Sequence, residues 1–193
     1  MTAAPPDIVV DHSGLWTHAT SADDLEAWAP RAARRLWSAS GQPYSGLDVD
    51  RLTDKLTVLA EAAFRSECFG AFFLCPEPTR GPCSVVRLNG MTYAAGTPVE
   101  AVVEEVLLPD ELQVLRPEVE HLAGPGPRRI RIRQRAYRED TRTVSDHVVY
   151  VLPFDEAAWL LSVSFPDPRD ADRWLPELDA LVDGVQVTGG SAA

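Results

Sequence analysis

Four arginines alternate along the segment RRIRIRQR, and their spacing is the clearest sign of binding chemistry in the chain. A β-strand directs successive side chains to opposite faces, so alternate residues share one face ~6.6 Å apart. Guanidinium groups bind carboxylates and phosphates through paired hydrogen bonds. We therefore expect one strand face to carry a positive stripe that binds an anion or an acidic segment of a partner. This arginine stripe consists of Arg129, Arg131, Arg133 and Arg135.

The surrounding charge is compatible with two roles for the arginine stripe. Residues 128–142 contain seven arginines against the two acids Glu139 and Asp140, a net charge of +5, which leaves −16 on the rest of the chain. A positive segment on an acidic body suits a phosphate, a carboxylate or an acidic partner. The alternative is a solvated sheet face, or pairing with acids of the chain itself. Only Tyr137 lies nearby to stack on bases, which disfavours nucleic acid as the partner.

Asp146 and His147 are neighbours in sequence and raise the question of acid–base chemistry. Neighbours on a strand point to opposite faces, so they form no direct dyad unless a bulge intervenes. A catalytic His147 would also need a nucleophile, such as Ser145 or Cys68, brought close by folding. The motif GxSxG is absent. We therefore predict no catalytic residue, and a modest hydrolase using His147 remains the alternative to a structural histidine.

The three cysteines and the other histidines predict no metal or cofactor site. Cys68, Cys75 and Cys83 are separated by six and then seven residues, which matches no common zinc pattern and favours buried, reduced thiols. Cys75 and Cys83 bracket a turn and could face each other across a hairpin. The remaining histidines lie at no metal-ligand spacing: His12, His18 and His121. Neither a phosphate-binding loop nor GxGxxG occurs.

The composition is that of an ordinary globular chain. Hydrophobic residues make up 45 % of the 193 residues and charged residues 24 %. The net charge of −11 disfavours nucleic acid and anionic membranes as partners. No segment approaches the ~20 apolar residues of a membrane span, and the first residues lack the features of a signal peptide, so we expect a cytoplasmic protein. Seventeen arginines against the single Lys55 indicate a GC-rich genome, such as an actinobacterial one.

Helical signals occur at both ends of the chain and once in the middle. Ser21 is expected to cap a helix that is kinked at Pro30. Thr97, Pro98 and Glu100 resemble a helix start with a threonine cap and proline at the first position. The predicted helices span residues 21–38, 48–65, 97–108 and 167–183.

Six strands are predicted between and after these helices. A hairpin over 69–75 and 84–94 is followed by three runs with short links, which indicate antiparallel pairing. Those runs span 128–137, 143–154 and 157–166, and a last short strand covers 185–187. The expected fold is α+β, a twisted antiparallel sheet of about six strands flanked by helices, with an N-terminal helical pair. We predict one domain over 1–193, with a loose arm (1–20), the helical pair (21–66), the sheet with its helices (67–188) and a tail (189–193).

The order of elements after residue 69 resembles the PsbP-like sandwich superfamily. The resemblance rests on HVVYVLPF, AAWLLSVSFPDP and LPELDALVDGVQV at the end of the chain, and on GPGPRRIRIR before them. That superfamily includes LpqN-type actinobacterial proteins and a Ran-binding import factor. The resemblance implies a fold of this type and a role in binding proteins or small ligands, without catalysis.

The sequence therefore predicts a non-enzymatic protein- or ligand-binding domain that presents one face or edge to a partner. A small-ligand or anion-binding protein, or a hydrolase using His147, is one alternative. An oligomeric assembly component is another, because the helices are apolar and rich in tryptophan. Partners are expected to be a protein or a second copy of the chain, with neither nucleic acid nor membrane insertion involved.

Overall fold

A computed structural model describes residues 7–124, 128–139, 141–154 and 156–188. The chain divides into two compact units. The larger unit contains the residues up to Asp11 and those from Gly90 onward, and the smaller unit contains His12–Asn89. The single domain over 1–193 stays a prediction.

Nine strands and four α-helices occur within the described ranges. The strands are β1 (Asp7–Val10), β2 (Trp16–Ala19), β3 (Gly70–Leu74), β4 (Ser84–Thr92), β5 (Glu118–Leu122), β6 (Arg129–Arg138), β7 (Thr143–Pro153), β8 (Ala157–Phe165) and β9 (Val185–Thr188). The helices are α1 (Leu25–Ser40), α2 (Gly46–Phe64), α3 (Val99–Val106) and α4 (Pro168–Asp183). The predicted α+β class, with antiparallel strands flanked by helices, is confirmed.

The smaller unit packs the helical pair α1 and α2 on one face of its strands. These strands pair antiparallel in the order β2-β3-β4. Ala71 and Phe73 of β3 point into the same apolar cluster as Leu36 of α1 and Leu56 of α2. Trp37 is buried in this cluster as well. Its indole Nε1 donates to the carbonyl oxygen of Asp48 at 3.3 Å, which satisfies the polar end of the ring.

The prediction of a loose arm over residues 1–20 was wrong for the described part of that segment. β2 pairs with β3, with Trp16 opposite Leu74, and Trp16 is buried. β1 pairs antiparallel with β9. These two strands are short and flanked by small and polar residues, so the local sequence does not predict them. Pairing with strands distant in the sequence stabilises them.

Two helix starts differ from expectation. α2 begins at Gly46 rather than near Asp48, because Ser45 and Asp48 form a capping box: the Ser45 amide donates to Asp48 Oδ2 at 2.9 Å and the Asp48 amide to Ser45 Oγ at 3.3 Å. Thr97 is not the cap of α3, since its hydroxyl donates to the carbonyl of Ala94 at 2.6 Å and Pro98 holds the cap position.

The larger unit places two different surfaces on the two faces of one sheet. Its strands pair antiparallel in the order β8-β7-β6-β5, and β1 and β9 form a separate two-stranded ribbon. One face is apolar: Ile130 and Ile132 of β6 pack with Val149 of β7 and with Val102 and Val103 of α3. The opposite face of β6 carries the arginine stripe and lies under α4.

Some sequence predictions fall outside the described residues. These are the start of the arm (1–6), most of the GPGP turn (125–127), Asp140 and the tail (189–193). Among the described helices, none combines the length and the apolar character needed to cross a membrane.

Candidate functional site

The arginine stripe lies on one face of β6, as the alternation predicts. On the neighbouring strand β7, Tyr150 is opposite Arg131 and Asp146 is opposite Arg135. The Tyr150 hydroxyl donates to Asp179 Oδ1 of α4 at 2.7 Å. The stripe therefore faces α4 within the larger unit.

Asp146 neutralises two arginines of the stripe. Its side chain is 0 % exposed, and it accepts from Arg133 Nε at 2.6 Å and from Arg135 Nε at 3.0 Å. Arg133 also pairs with Asp172 of α4 at 2.7 Å. One buried carboxylate and one exposed carboxylate thus compensate this half of the stripe.

The other half of the stripe pairs with α4 and β5. Arg131 Nη1 donates to Asp179 Oδ2 at 2.5 Å, and Arg131 Nη2 pairs with Glu120 of β5. Arg129, which is only 2 % exposed, pairs with Asp183 at the end of α4. All four arginines therefore have a carboxylate partner in their own unit.

These contacts shift the ionisation of the groups involved. Burial opposes the charge on Arg131 and Arg133, but their hydrogen bonds to carboxylates outweigh it and raise the pKa of both side chains. Burial, together with the hydrogen bond to Asp179, raises the pKa of Tyr150. The stripe is a charged network that ties β5, β6, β7 and α4 together, and a role for it in binding a partner stays a prediction.

His147 lies on the opposite face of β7 from Asp146, so the two form no dyad. Its Nδ1 lies 2.8 Å from Ser164 Oγ on β8, and its Nε2 lies 3.1 Å from Ser145 Oγ. Ser145 was one of the nucleophiles considered from sequence, and Ser164 was missed. The antiparallel register of β7 and β8, which places Ser164 directly opposite His147, is the signal that identifies it. Cys68 belongs to the smaller unit.

The three cysteines lie in the smaller unit as reduced thiols. Cys68 and Cys75 are buried and Cys83 is exposed. Burial, with a further contribution from Cys83, raises the pKa of the Cys75 thiol to about 12. A thiol with so high a pKa is a poor nucleophile at neutral pH. Within the described residues, no group of three or more His, Cys, Asp or Glu side chains is placed to hold a metal ion.

β5 is the edge strand of the larger unit's sheet. It pairs with β6 from Glu118 opposite Arg133 to Leu122 opposite Arg129, and in the described part of the chain it ends the strand order. Its first four residues are exposed and Leu122 is half-buried. An edge strand of this kind presents unpaired backbone N–H and C=O groups to solvent.

Exposed apolar side chains accompany this edge on both faces of the sheet, since Val119 lies on the face of Ile132 and Tyr137 on the face of Arg135. The segment before β5 also follows β6, since the Val114 amide donates to the carbonyl of Arg135 at 2.8 Å and Gln113 forms a bridge with Ala136. Five large apolar side chains along the edge formed by this segment, β5 and the end of β6 are between 44 and 51 % exposed. This apolar edge consists of Leu112, Val114, Leu115, Val119 and Tyr137.

The signal for this edge strand in the sequence is weak. Glu118 and Glu120 interrupt the apolar pattern of EVEHL, and acids are depleted in strands. The cue that identifies β5 is its complementarity to β6, because Glu120 lies opposite Arg131 and pairs with it.

Comparison with known proteins adds no function. No family model matches the chain, and no curated protein matches it. A crystal structure from Bacteroides thetaiotaomicron VPI-5482 is similar with a TM-score of 0.39 and 10 % sequence identity. The similarity covers 62 % of this chain and 38 % of that one, so the chain spans well under half of its length. A TM-score this low carries no inference about fold or function, and the PsbP-like resemblance stays a prediction.

Proposed function

We propose that the protein is a non-enzymatic protein-binding domain that takes up an extended segment of its partner along the outer edge of β5. The observation that carries this proposal is the exposure of β5 along its outer side, with the apolar edge beside it. Backbone hydrogen bonds to an added strand supply affinity, and alternate side chains of that strand supply specificity. Exposed apolar surface next to an open strand is typical of an interaction site.

Charge selects the kind of segment. Asp110, Glu111 and Glu118 are exposed beside the apolar edge and outnumber the exposed Arg116 of the same segment, and the whole chain carries a net charge of −11. Opposite charges across an interface accelerate encounter and disfavour wrong partners. The partner segment is therefore basic as well as apolar. The proposal also places the protein in the cytoplasm, with neither nucleic acid nor membrane as its target. The PsbP-like resemblance supports a binding role.

The test is capture of partners from the native lysate by the tagged protein, at low and at moderate salt, with mass spectrometry of the bound material. The variant Val119→Arg removes an apolar contact of β5 and adds a charge that repels a basic segment. Its matched control is Val58→Arg, because Val58 is also an exposed valine, 62 % exposed against 46 % for Val119, and it lies on α2 of the smaller unit.

We expect a specific protein to be retained by the parent and by Val58→Arg, and lost from Val119→Arg. Its retention should weaken as salt rises, because exposed charge pairs are screened. Equal capture by both variants would show that β5 is not the binding edge. Capture of nothing specific under either condition would overturn the proposal and favour a small ligand.

A further inference from the structure

A row of polar side chains crosses the sheet of the larger unit on the face opposite the arginine stripe. Gln134 of β6, His147 of β7 and Ser164 of β8 are cross-strand neighbours. Apolar residues such as Ile130 and Val151 lie further along the same face. An isolated polar row at the border of an apolar cluster is a place where hydrogen bonds fix side chains in defined positions.

The hydrogen bonds of this row determine which nitrogen of His147 can accept a proton. Ser145, only 2 % exposed, donates its hydroxyl proton to the carbonyl of Ala136 at 3.5 Å. Ser145 Oγ also lies 3.1 Å from His147 Nε2. A serine hydroxyl has a single proton, so when that proton goes to Ala136 the ring donates from Nε2. With its proton on Nε2, the neutral imidazole is an acceptor at Nδ1, where Ser164 Oγ lies at 2.8 Å. In this tautomer the Ser164 proton points at a base.

We propose that Ser164 is a nucleophile activated by His147 and that its natural modification is acylation by an activated carboxylic ester. Ser164 is exposed, so an acyl donor can reach it, whereas Ser145 is buried. A hydroxyl hydrogen-bonded to a positioned imidazole is the arrangement that nucleophilic serine requires. This inference is independent of the proposed binding edge, which uses other strands and other residues.

The step balances without any further reactant. Ser164 Oγ attacks the ester carbonyl carbon while its proton passes to His147 Nδ1. The tetrahedral intermediate then expels the leaving oxygen, which takes that proton and departs as an alcohol. The products are one acyl-Ser164 ester and one alcohol, and His147 returns to its neutral form.

The chain supplies a matched control for Ser164. Ser162 lies two residues earlier on β8 and therefore on the same face, but its neighbour on β7 is Val149 rather than a histidine. The Ser162 hydroxyl is on the same strand and the same face as the Ser164 hydroxyl, but no histidine lies opposite it.

The experiment is acetylation of the full chain by 4-nitrophenyl acetate at neutral pH, followed over time by intact mass and by peptide mapping. Four proteins are compared: the parent, Ser164→Ala, Ser162→Ala and His147→Ala. We expect one acetyl group on Ser164 in the parent and in Ser162→Ala, and none at this site in Ser164→Ala. Loss of the base in His147→Ala should slow labelling of Ser164 about 100-fold.

Two results would overturn the proposal: an unlabelled Ser164 in the folded parent, or labelling of Ser164 at the same rate with and without His147. Ser164→Ala removes only an exposed hydroxyl, so this variant is expected to fold. The test of the proposal therefore does not depend on the His147→Ala variant alone. Release of many equivalents of 4-nitrophenol per chain, dependent on Ser164, would support the nucleophile and contradict the non-enzymatic part of the proposed function.

Discussion

Asp146 is the residue on which the ionic network of the larger unit depends most. It is fully buried and compensates both Arg133 and Arg135. The substitution Asp146→Asn removes the carboxylate charge that compensates the half-buried guanidinium groups of Arg133 and Arg135. Breaking a buried pair in this way costs roughly 3–5 kcal/mol. We expect a loss of this order in urea unfolding monitored by circular dichroism.

The matched control for Asp146→Asn is Asp172→Asn. Asp172 pairs with the same Arg133, but its side chain is 64 % exposed. Exposed ion pairs contribute about 0–1 kcal/mol. Equal losses in the two variants would show that burial does not set the strength of this network.

His18 makes the stability of the smaller unit depend on pH. Its ring stacks on Phe72 with centroids 4.1 Å apart, and burial, with a smaller effect from His12, lowers its pKa from 6.5 to about 4. The native state therefore holds His18 neutral, whereas the unfolded chain binds a proton below pH 6.5. Stability from this group is present above pH 6.5 and is lost as the pH falls towards 4, by up to about 1.4 kcal/mol per pH unit.

The measurement is the free energy of unfolding at several pH values between 7 and 4, as the difference between the parent and His18→Gln. We expect the variant to show the shallower dependence on pH, because it has no ring to protonate. His121→Gln, at an exposed histidine of the larger unit, controls for the exchange of histidine for glutamine itself. Parallel curves for the parent and His18→Gln would contradict the assignment.

For individual residues, the sequence predicts only one of the two partners in each contact. Alternation places Arg129 to Arg135 on one face and separates Asp146 from His147, because both follow from strand geometry alone. The carboxylates that pair with the arginines come from β5, β7 and α4, and Ser164 comes from β8. Their positions depend on register and helix docking, which no local pattern encodes.

Among the elements, α4 and the ribbon of β1 and β9 meet at Gly184. The Asp11 amide donates to the Gly184 carbonyl at 2.9 Å, and a Cβ on Gly184 would lie 1.8 Å from the Asp11 carbonyl oxygen. Gly184→Ala is therefore expected to push β1 away and to destabilise the protein by roughly 1–3 kcal/mol. Thermal unfolding followed by circular dichroism measures the loss.

Gly46→Ala is the control for this prediction. Gly46 lies in the first turn of α2, and a Cβ there would meet no atom within 4 Å. Alanine is the better helix former, so this variant should be neutral or stabilised by up to about 1 kcal/mol. A Gly184→Ala variant as stable as Gly46→Ala would show that the close approach to Asp11 is not required.

The elements with strong local signals are those that the sequence predicts. α4 begins with Asp167 as its cap and Pro168 at its first position, as expected, and the hairpin of β3 and β4 follows from its apolar runs and turn. β1, β2 and β5 were missed because each is short, and none has an alternating apolar pattern long enough to stand out. They exist because partner strands order them, which is a property of the sheet rather than of the segment.

For the whole molecule, the proposed binding edge predicts a monomer. Antiparallel pairing of two β5 strands centred on Glu120 would set Glu120 opposite its own copy, and like charges directly opposite are destabilising. Two chains of net charge −11 also repel. Size-exclusion chromatography with light scattering should give a mass near 21.1 kDa even at high concentration. A stable dimer would favour the oligomeric alternative.

The most direct test of strand addition is hydrogen–deuterium exchange of the backbone amides, measured on the free protein and on the complex captured from lysate. Binding at the proposed edge predicts slower exchange in the peptides that cover Glu118–Leu122, because an added strand occupies the outward amides, with little change in α1 and α2. Unchanged exchange in β5 in the presence of a bound partner would contradict the account, and protection elsewhere would show where the partner binds instead.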